Sequence, residues 1–327
     1  MRTGWKVTSP LLSSKGVIDQ LNIGIRFALY ANLMLLFGLP LFAIYALKRA
    51  ERLDNHILPL RTLTCWLSAS GFTLSMLSIA AMTASMMGVP LFEVDIASIG
   101  IMIFETPMGI AWLVRVTALL VTLAAAFRIN ATDGLPILLF VTFASAIALS
   151  SVAWTGHGAA SEGATGTAQL IADIAHLLGA GAWLGALAAL TIILFRGAET
   201  MNEGYLNMAH RLLKDFSVAG TIIVAVVLGS GLVNSWMLVG PQNILTIHTT
   251  LYGQLLIAKL LLFGMMLFLA AVNRFELTPR LNRALQLGGI PSAAGELRKS
   301  LVLELGIALV ILGLVAWLGT LEPPRSM

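Results

Sequence analysis

Residues 171–195 read IADIAHLLGAGAWLGALAALTIILF, twenty-five positions in which Asp173 is the only formal charge. As a helix this run extends about 37 Å at 1.5 Å per residue, more than the ~30 Å of hydrocarbon in a bilayer. Seven other runs are alike: Ile23–Leu47, Leu60–Met86, Met108–Phe127, Leu135–Trp154, Phe216–Met237, Tyr252–Asn273 and Leu301–Leu321. Lipid offers no partners to backbone N–H and C=O groups, so each run must satisfy its own, and helix does that. The short alternating segments of a β-barrel are missing. The predicted fold is all-α: a polytopic membrane protein with eight transmembrane helices in one bundle, residues 23–321, between short tails at 1–22 and 322–327.

Composition agrees. Of 327 residues, 58% are hydrophobic and 11% charged, against ~25% charged in ordinary soluble domains. Too few polar side chains remain to cover a water-soluble surface of this size. That excludes a soluble enzyme, a disordered regulator and a nucleic-acid binder. The single cysteine, Cys65, excludes a disulfide framework or a thiolate cluster. The first apolar run is longer than the ~7–15-residue core of a signal peptide and no small-residue cleavage site follows it, so it reads as a permanent span.

Orientation follows from the loops. Thirteen Lys and Arg fall in or beside four connections: Lys48, Arg49, Arg52 and Arg61; Arg128; Arg196, Arg211 and Lys214; Arg274, Arg280, Arg283, Arg298 and Lys299. Connections 87–107, 155–170 and 238–251 carry none. Basic loops stay on the cytoplasmic side, so the loops without Lys or Arg and both termini are predicted outside. Arg2, Lys6, Lys15 and Arg26 run against this near the N-terminus and are outnumbered.

Polar residues in the spans gather toward the predicted outer side. Asp173 and His176 stand at i, i+3 on one face of span 5, with Trp183 seven residues further on that face. Counted from Ile171, His176 is only ~8 Å into its helix. His157 lies just past span 4, in Trp154-Thr-Gly-His-Gly-Ala-Ala160, and His248 just before span 7. Arg115 and Lys259 each sit ~10 Å in from the same side. Both cations read equally as snorkelling side chains and as cavity residues. Asp173 reads first as a charge partner for one of them, His157 equally as a solvated loop histidine, and His176 also as a packing histidine. His56 and His210, in charged loops, read as solvated. Gly181 and Gly185 form a small-xxx-small pair that admits a close neighbouring helix.

Methionine adds a weaker pattern. Met82, Met86, Met87, Met102, Met108 and Met237 lie at or near the outer side, with Met82 and Met86 at i, i+4. Thioether selects Cu(I) and imidazole also suits copper, whereas each methionine taken alone reads as packing. Together with the outer histidines the pattern points to copper, Cu(I) first, with nickel left open. The site is His157 and His176 completed by His248 or an outer methionine, Met86 first, with Asp173 orienting His176 or binding the metal directly.

At these residues the chain resembles the copper resistance protein D (CopD) family of bacterial inner-membrane proteins. The matching segments are Gly156-His157-Gly-Ala-Ala160, Asp173-Ile-Ala-His176 running to Trp183-Leu-Gly185, and Thr250-Leu-Tyr252-Gly253 with Lys259, ending at Asn273-Arg274. Two positions depart from the family pattern: Leu251 where proline is expected, and Ala186 where a second glycine is expected. The resemblance implies copper handling at the inner membrane, in the sense of uptake from the periplasm, with a separate periplasmic carrier of the copper resistance protein C type as partner. No ATP-binding loop G-x-x-x-x-G-K-[ST] occurs, so the reading is a transporter without ATP coupling and not an enzyme. The alternative is a haem b redox protein using the same outer histidines as axial ligands.

Overall fold

A computed structural model of the chain describes residues 10–129, 134–155, 163–196, 203–240, 242, 246–287 and 290–322. Its helices are α1 (Pro10–Ala46), α2 (Arg49–Leu53), α3 (Leu60–Met87), α4 (Ile96–Glu105), α5 (Pro107–Ala126), α6 (Leu135–Ser150), α7 (Gly163–Arg196), α8 (Glu203–Val239), α9 (Leu251–Val272), α10 (Thr278–Leu287) and α11 (Ile290–Leu318). No strand occurs among the described residues. Helices α1, α3, α5, α6, α7, α8, α9 and α11 each contain a segment long and apolar enough to cross a membrane. The eight predicted spans and the eight observed ones correspond.

The differences lie at the ends. Helix α7 starts at Gly163 and α8 at Glu203, earlier than the apolar runs alone suggest. Once a helix is nucleated, adding a polar turn costs little, so helices outrun their lipid-soluble stretch. His176 therefore lies thirteen residues, about 20 Å, from the start of its helix and not ~8 Å. The 87–107 connection, read as a loop, contains α4. Asp95 caps it by accepting from the Ser98 N–H at 2.5 Å, and this bond holds the exposed carboxyl below the usual carboxylate range. Ten residues extend only ~15 Å, too short to cross. Helix α4 instead tucks Met102 against Ile79 and Trp112 and leaves Ile96, Ile101 and Phe104 exposed.

Helix α1 is the centre of the bundle. It packs against α3, α6, α7 and α11, and Leu33, Phe42 and Ala43 are completely enclosed. Its contact with α7 is backbone on backbone. A Cβ on Gly38 would lie 2.7 Å from the Gly185 Cα and would overlap the Gly181 carbonyl oxygen. The small-xxx-small pair of α7 thus has Gly38 of α1 as its counterpart. Trp112 ties α5 to α3 by donating to the Ser75 carbonyl at 2.8 Å.

The two ends of the bundle differ as the loops do. At the basic end Glu51 of α2 accepts from Arg211 of α8 on both oxygens at 2.6 Å. Arg196 donates to the Asn55 carbonyl at 2.9 Å, and Arg298 to the Leu194 carbonyl at 2.9 Å. At the opposite end, termed the uncharged end because its connections hold no Lys or Arg although Glu93, Asp95 and Glu105 lie there, the helices separate around a cavity.

Candidate functional site at the uncharged end

Helices α1, α7, α8, α9 and α11 enclose a cavity of about 180 Å³ toward the uncharged end. Asp173 and His176 of α7 and Lys259 of α9 all line it. The i, i+3 spacing places the acid and the imidazole on one face, and the packing of α7 on α8 and α11, with α9 on α11, aims that face inward. Lys259 lies within electrostatic reach of Asp173, although no direct ion pair forms between them among the described residues. The remaining polar lining is Arg26, Tyr30, Asn234, Ser235 and Tyr252.

His176 is held by its Nδ1. That nitrogen lies 3.2 Å from the Val227 carbonyl oxygen and 3.2 Å from Ser230 Oγ, both on α8. A carbonyl only accepts, so in the neutral ring Nδ1 carries the hydrogen and Nε2 keeps its lone pair. Ser230 spends its own hydrogen on the Val226 carbonyl at 2.6 Å, which leaves its oxygen to accept from His176. Gly231 completes the seat: a Cβ there would stand 3.4 Å from His176 Cε1. This is the arrangement by which proteins fix an imidazole for a metal on its other nitrogen.

Arg26 reaches the cavity from α1. Its guanidinium packs on Gly319, where an added Cβ would meet Nη2 at 2.8 Å, and it donates a long 3.4 Å bond to Tyr30. Its Nε has no partner. Arg26, Tyr30, Asn234 and Tyr252 were not singled out as site residues by the sequence. Arg26 and Tyr30 carry an i, i+4 signature in the first span, but only the packing of α1 onto α7 and α11 brings them to Asp173.

Other predicted residues go elsewhere. Met86 is 69% exposed at the end of α3 and does not line the cavity. Helix α3 packs on α1, α4 and α5, and Met82 meets Ile79 and Trp112 and not His176. His248 is exposed in a 3-10 turn, Ile247–Thr249, before α9 and likewise does not line the cavity. His157 lies outside the described residues. Arg115 does not snorkel: at 2% exposure it is enclosed in the bundle, within electrostatic reach of Tyr30 and with Nε unpaired. Of the two cations considered for Asp173, the structure brings Lys259.

Geometry of this kind limits the ligand. A volume of 180 Å³ falls below the ~300–1,000 Å³ of small-molecule clefts, so it suits an ion with few waters and not a macrocycle. The described lining offers one histidine, where two axial imidazoles would hold a haem, and no thioether. Among the described residues no group of three His, Cys, Asp or Glu converges on one point.

The chain is 42% identical over 306 residues to Copper resistance protein D of Pseudomonas syringae pv. tomato, covering 93% of this chain and 97% of that protein. The chain belongs to the copper resistance protein D family. The family description "Copper resistance protein D-like, N-terminal domain" matches residues 17–167, and "Copper resistance protein D" matches residues 210–318. The first stretch takes in α1 and α3–α6, the second most of α8 and all of α9–α11. Inner membrane protein YebZ of Escherichia coli (strain K12) is 31% identical, over 92% of this chain and 98% of that protein. Copper transport protein CutJ of Bacillus subtilis (strain 168) is 31% identical over 55% of this chain and 32% of that protein. No solved structure gives a significant match. The cavity at the uncharged end holds four of the polar residues through which the sequence resembles the family: Asp173, His176, Tyr252 and Lys259.

Proposed function

We propose that this copper resistance protein D family member moves copper across the bacterial inner membrane, inward from the periplasm, through the cavity of Asp173 and His176. The observation that carries the reading is the seating of His176: Nδ1 is committed to α8 and Nε2 is left for a ligand on the same face as a carboxylate. Imidazole with carboxylate is a nitrogen–oxygen donor set, which accommodates Cu(II) as well as Cu(I). His157, from the connection between α6 and α7, is the natural further ligand for the cargo.

The cavity's charge favours delivery over capture from solution. Arg26 and Lys259 share it with Asp173, the single acid of the described lining, so a free cation approaching from water is repelled. A carrier protein of the copper resistance protein C type, docking at the uncharged end and passing the ion ligand to ligand, avoids that barrier. The names of the relatives from Pseudomonas syringae and Bacillus subtilis support copper as the cargo.

Two measurements test this reading. Alkaline phosphatase fused after residues 100, 163 and 243 should be active, and silent after 55, 203 and 290. The reverse pattern would place the cavity on the cytoplasmic side. Copper binding to the purified chain, measured by competition for both Cu(I) and Cu(II), should weaken in His176→Ala by well over the ~10–100-fold that loss of an outer partner causes. Cellular copper should fall with it, while His56→Ala stays normal. Unchanged binding in the His157/His176 double variant would end the proposal, and a haem absorption band lost in that variant would transfer the site to redox chemistry.

A further inference from the structure

A second cavity, of about 320 Å³, lies between the same helices α7, α8, α9 and α11 toward the basic end. At its wall stands Glu304 of α11, 1% exposed and inside a membrane-spanning segment. An ionised carboxylate there needs a cation, since burial without compensation costs several kcal/mol. No salt bridge supplies one among the described residues. Arg274, the one other charged group lining this cavity among them, is exposed, donates to Thr221 Oγ1 at 2.7 Å and stacks on Phe275. Other titratable groups of the neighbouring helices do not line this cavity: Arg26 and Tyr30 of α1, Asp173 and His176 of α7 and Lys259 of α9 line the other one. Arg196 of α7, His210, Arg211, Lys214 and Asp215 of α8, Glu276 of the turn after α9, Arg280 and Arg283 of α10 and Glu296, Arg298 and Lys299 of α11 are absent from its wall. Tyr45 of α1 packs edge-on against Phe42. Helix α8 adds only Ser217 and Thr221 as polar lining, and α10 only Thr278.

What meets Glu304 is an amide. Asn273 Nδ2 donates to Glu304 Oε2 at 2.8 Å, so carboxyl and amide join by one of the two hydrogen bonds such groups can share. The remaining atom of each, Glu304 Oε1 and Asn273 Oδ1, is buried without a partner. Both are acceptors. A single proton on Oε1 converts it to a donor with Asn273 Oδ1 as its acceptor, and both atoms are then satisfied. Trp183 Nε1 approaches the same carboxyl from α7 without reaching hydrogen-bond geometry, and it too has no partner. Asn273 opens a π-helical turn, Asn273–Leu277, in which the Thr278 N–H reaches back five residues to the Asn273 carbonyl. Such turns insert one residue, re-aim the side chains around them, and concentrate at functional sites.

We propose that Glu304 and Asn273 form a proton-binding site that exchanges with water at the basic end of the bundle. The proton bonds to Glu304 Oε1, is donated in a hydrogen bond to Asn273 Oδ1, and leaves by the cavity, which is roomy enough for a file of waters beside Ser217 and Thr221. A metal ion at this point would add charge next to Arg274, whereas the protonated pair is neutral. The site stands whether or not copper is the cargo.

Infrared difference spectra of the full chain in lipid nanodiscs, titrated from mildly acidic to mildly alkaline, test the proposal. A protonated-carboxyl C=O band should disappear with rising pH, shift on 13C labelling of glutamate, and be absent from Glu304→Gln. Asn273→Leu should move the band's frequency and midpoint, and the Trp183 part of the fluorescence, taken as the difference between the wild type and Trp183→Phe, should follow the same midpoint. Should Glu304→Gln fail to fold, the isotope shift and Asn273→Leu identify the group without it. A glutamate ionised throughout, or a band and fluorescence indifferent to pH, would overturn the exchange site. Loss of the band on adding sodium or copper at fixed pH would overturn it in favour of a metal.

Discussion

Gly185→Val should leave almost no folded protein in the membrane. A Cβ at this position overlaps the Gly38 Cα and carbonyl carbon and comes within 2.8 Å of the Gly38 oxygen. These are backbone atoms, and they cannot rotate aside as a side-chain tip would. Ordinary overpacking costs ~1–3 kcal/mol because neighbours shift rotamers. Here α1 and α7 must part along their whole crossing, so the loss should exceed that range. Gly306→Val and Gly313→Val on α11 are the controls, since a Cβ at either meets nothing within 4 Å. Folded yield by gel filtration in mild detergent, with thermal unfolding of whatever survives, should separate Gly185 from the controls. Equal behaviour of all three would mean that α1 and α7 do not meet at their glycines.

The second large effect belongs to Asp173. It is the one acid among the described lining of its cavity, facing Lys259 and Arg26. Asp173→Asn removes the carboxylate and leaves two cations confronting each other across a small volume. Because the group is half-buried and the cavity admits water, the stability cost should be about 1–3 kcal/mol, below the ~3–5 kcal/mol of a fully enclosed pair. Copper affinity should fall further, as for loss of His176. Adding Lys259→Met should restore the thermal stability and leave the affinity low, because it relieves the repulsion without returning a ligand. If the double variant recovered affinity as well, Asp173 would be a counterion only. If the single variant were as stable as the wild type, Asp173 and Lys259 would be independent, solvated charges.

How much of this was legible beforehand depends on whether a feature is local. The eight spans are, since each is a run of apolar residues whose length alone matches the bilayer. Asp173 and His176 are too, because a three-residue spacing on a helix fixes their shared face. The partners of that face are not local. Arg26 sits about 150 positions away and joins the cavity only because Gly38 lets α1 close on α7. Met86 illustrates the opposite case: its place near the uncharged end is legible, but not that it is left exposed at the end of α3, away from the cavity. Glu304 carries a signal in the sequence, a lone acid in the run 301–321, which a search confined to the outer ends of the spans passes over. Asn273 is marked only as the end of a family-like segment, and its pairing with Glu304 comes from a π turn that no periodicity announces. The short helix α4 escaped because ten apolar residues between two spans read as easily as a loop.

The glycine crossing also constrains how the two cavities can communicate. His176 and Trp183 stand on one face of α7, seven residues or about 10 Å apart, so α7 passes both. With its backbone locked against Gly38 of α1, α7 is an axle and not a lever. Helices α8, α9 and α11 line both cavities as well, and each presents many side chains to lipid where α1 and α7 present few. Any rocking that opens one cavity while closing the other therefore falls to α8, α9 and α11, singly or together, against a two-helix spine.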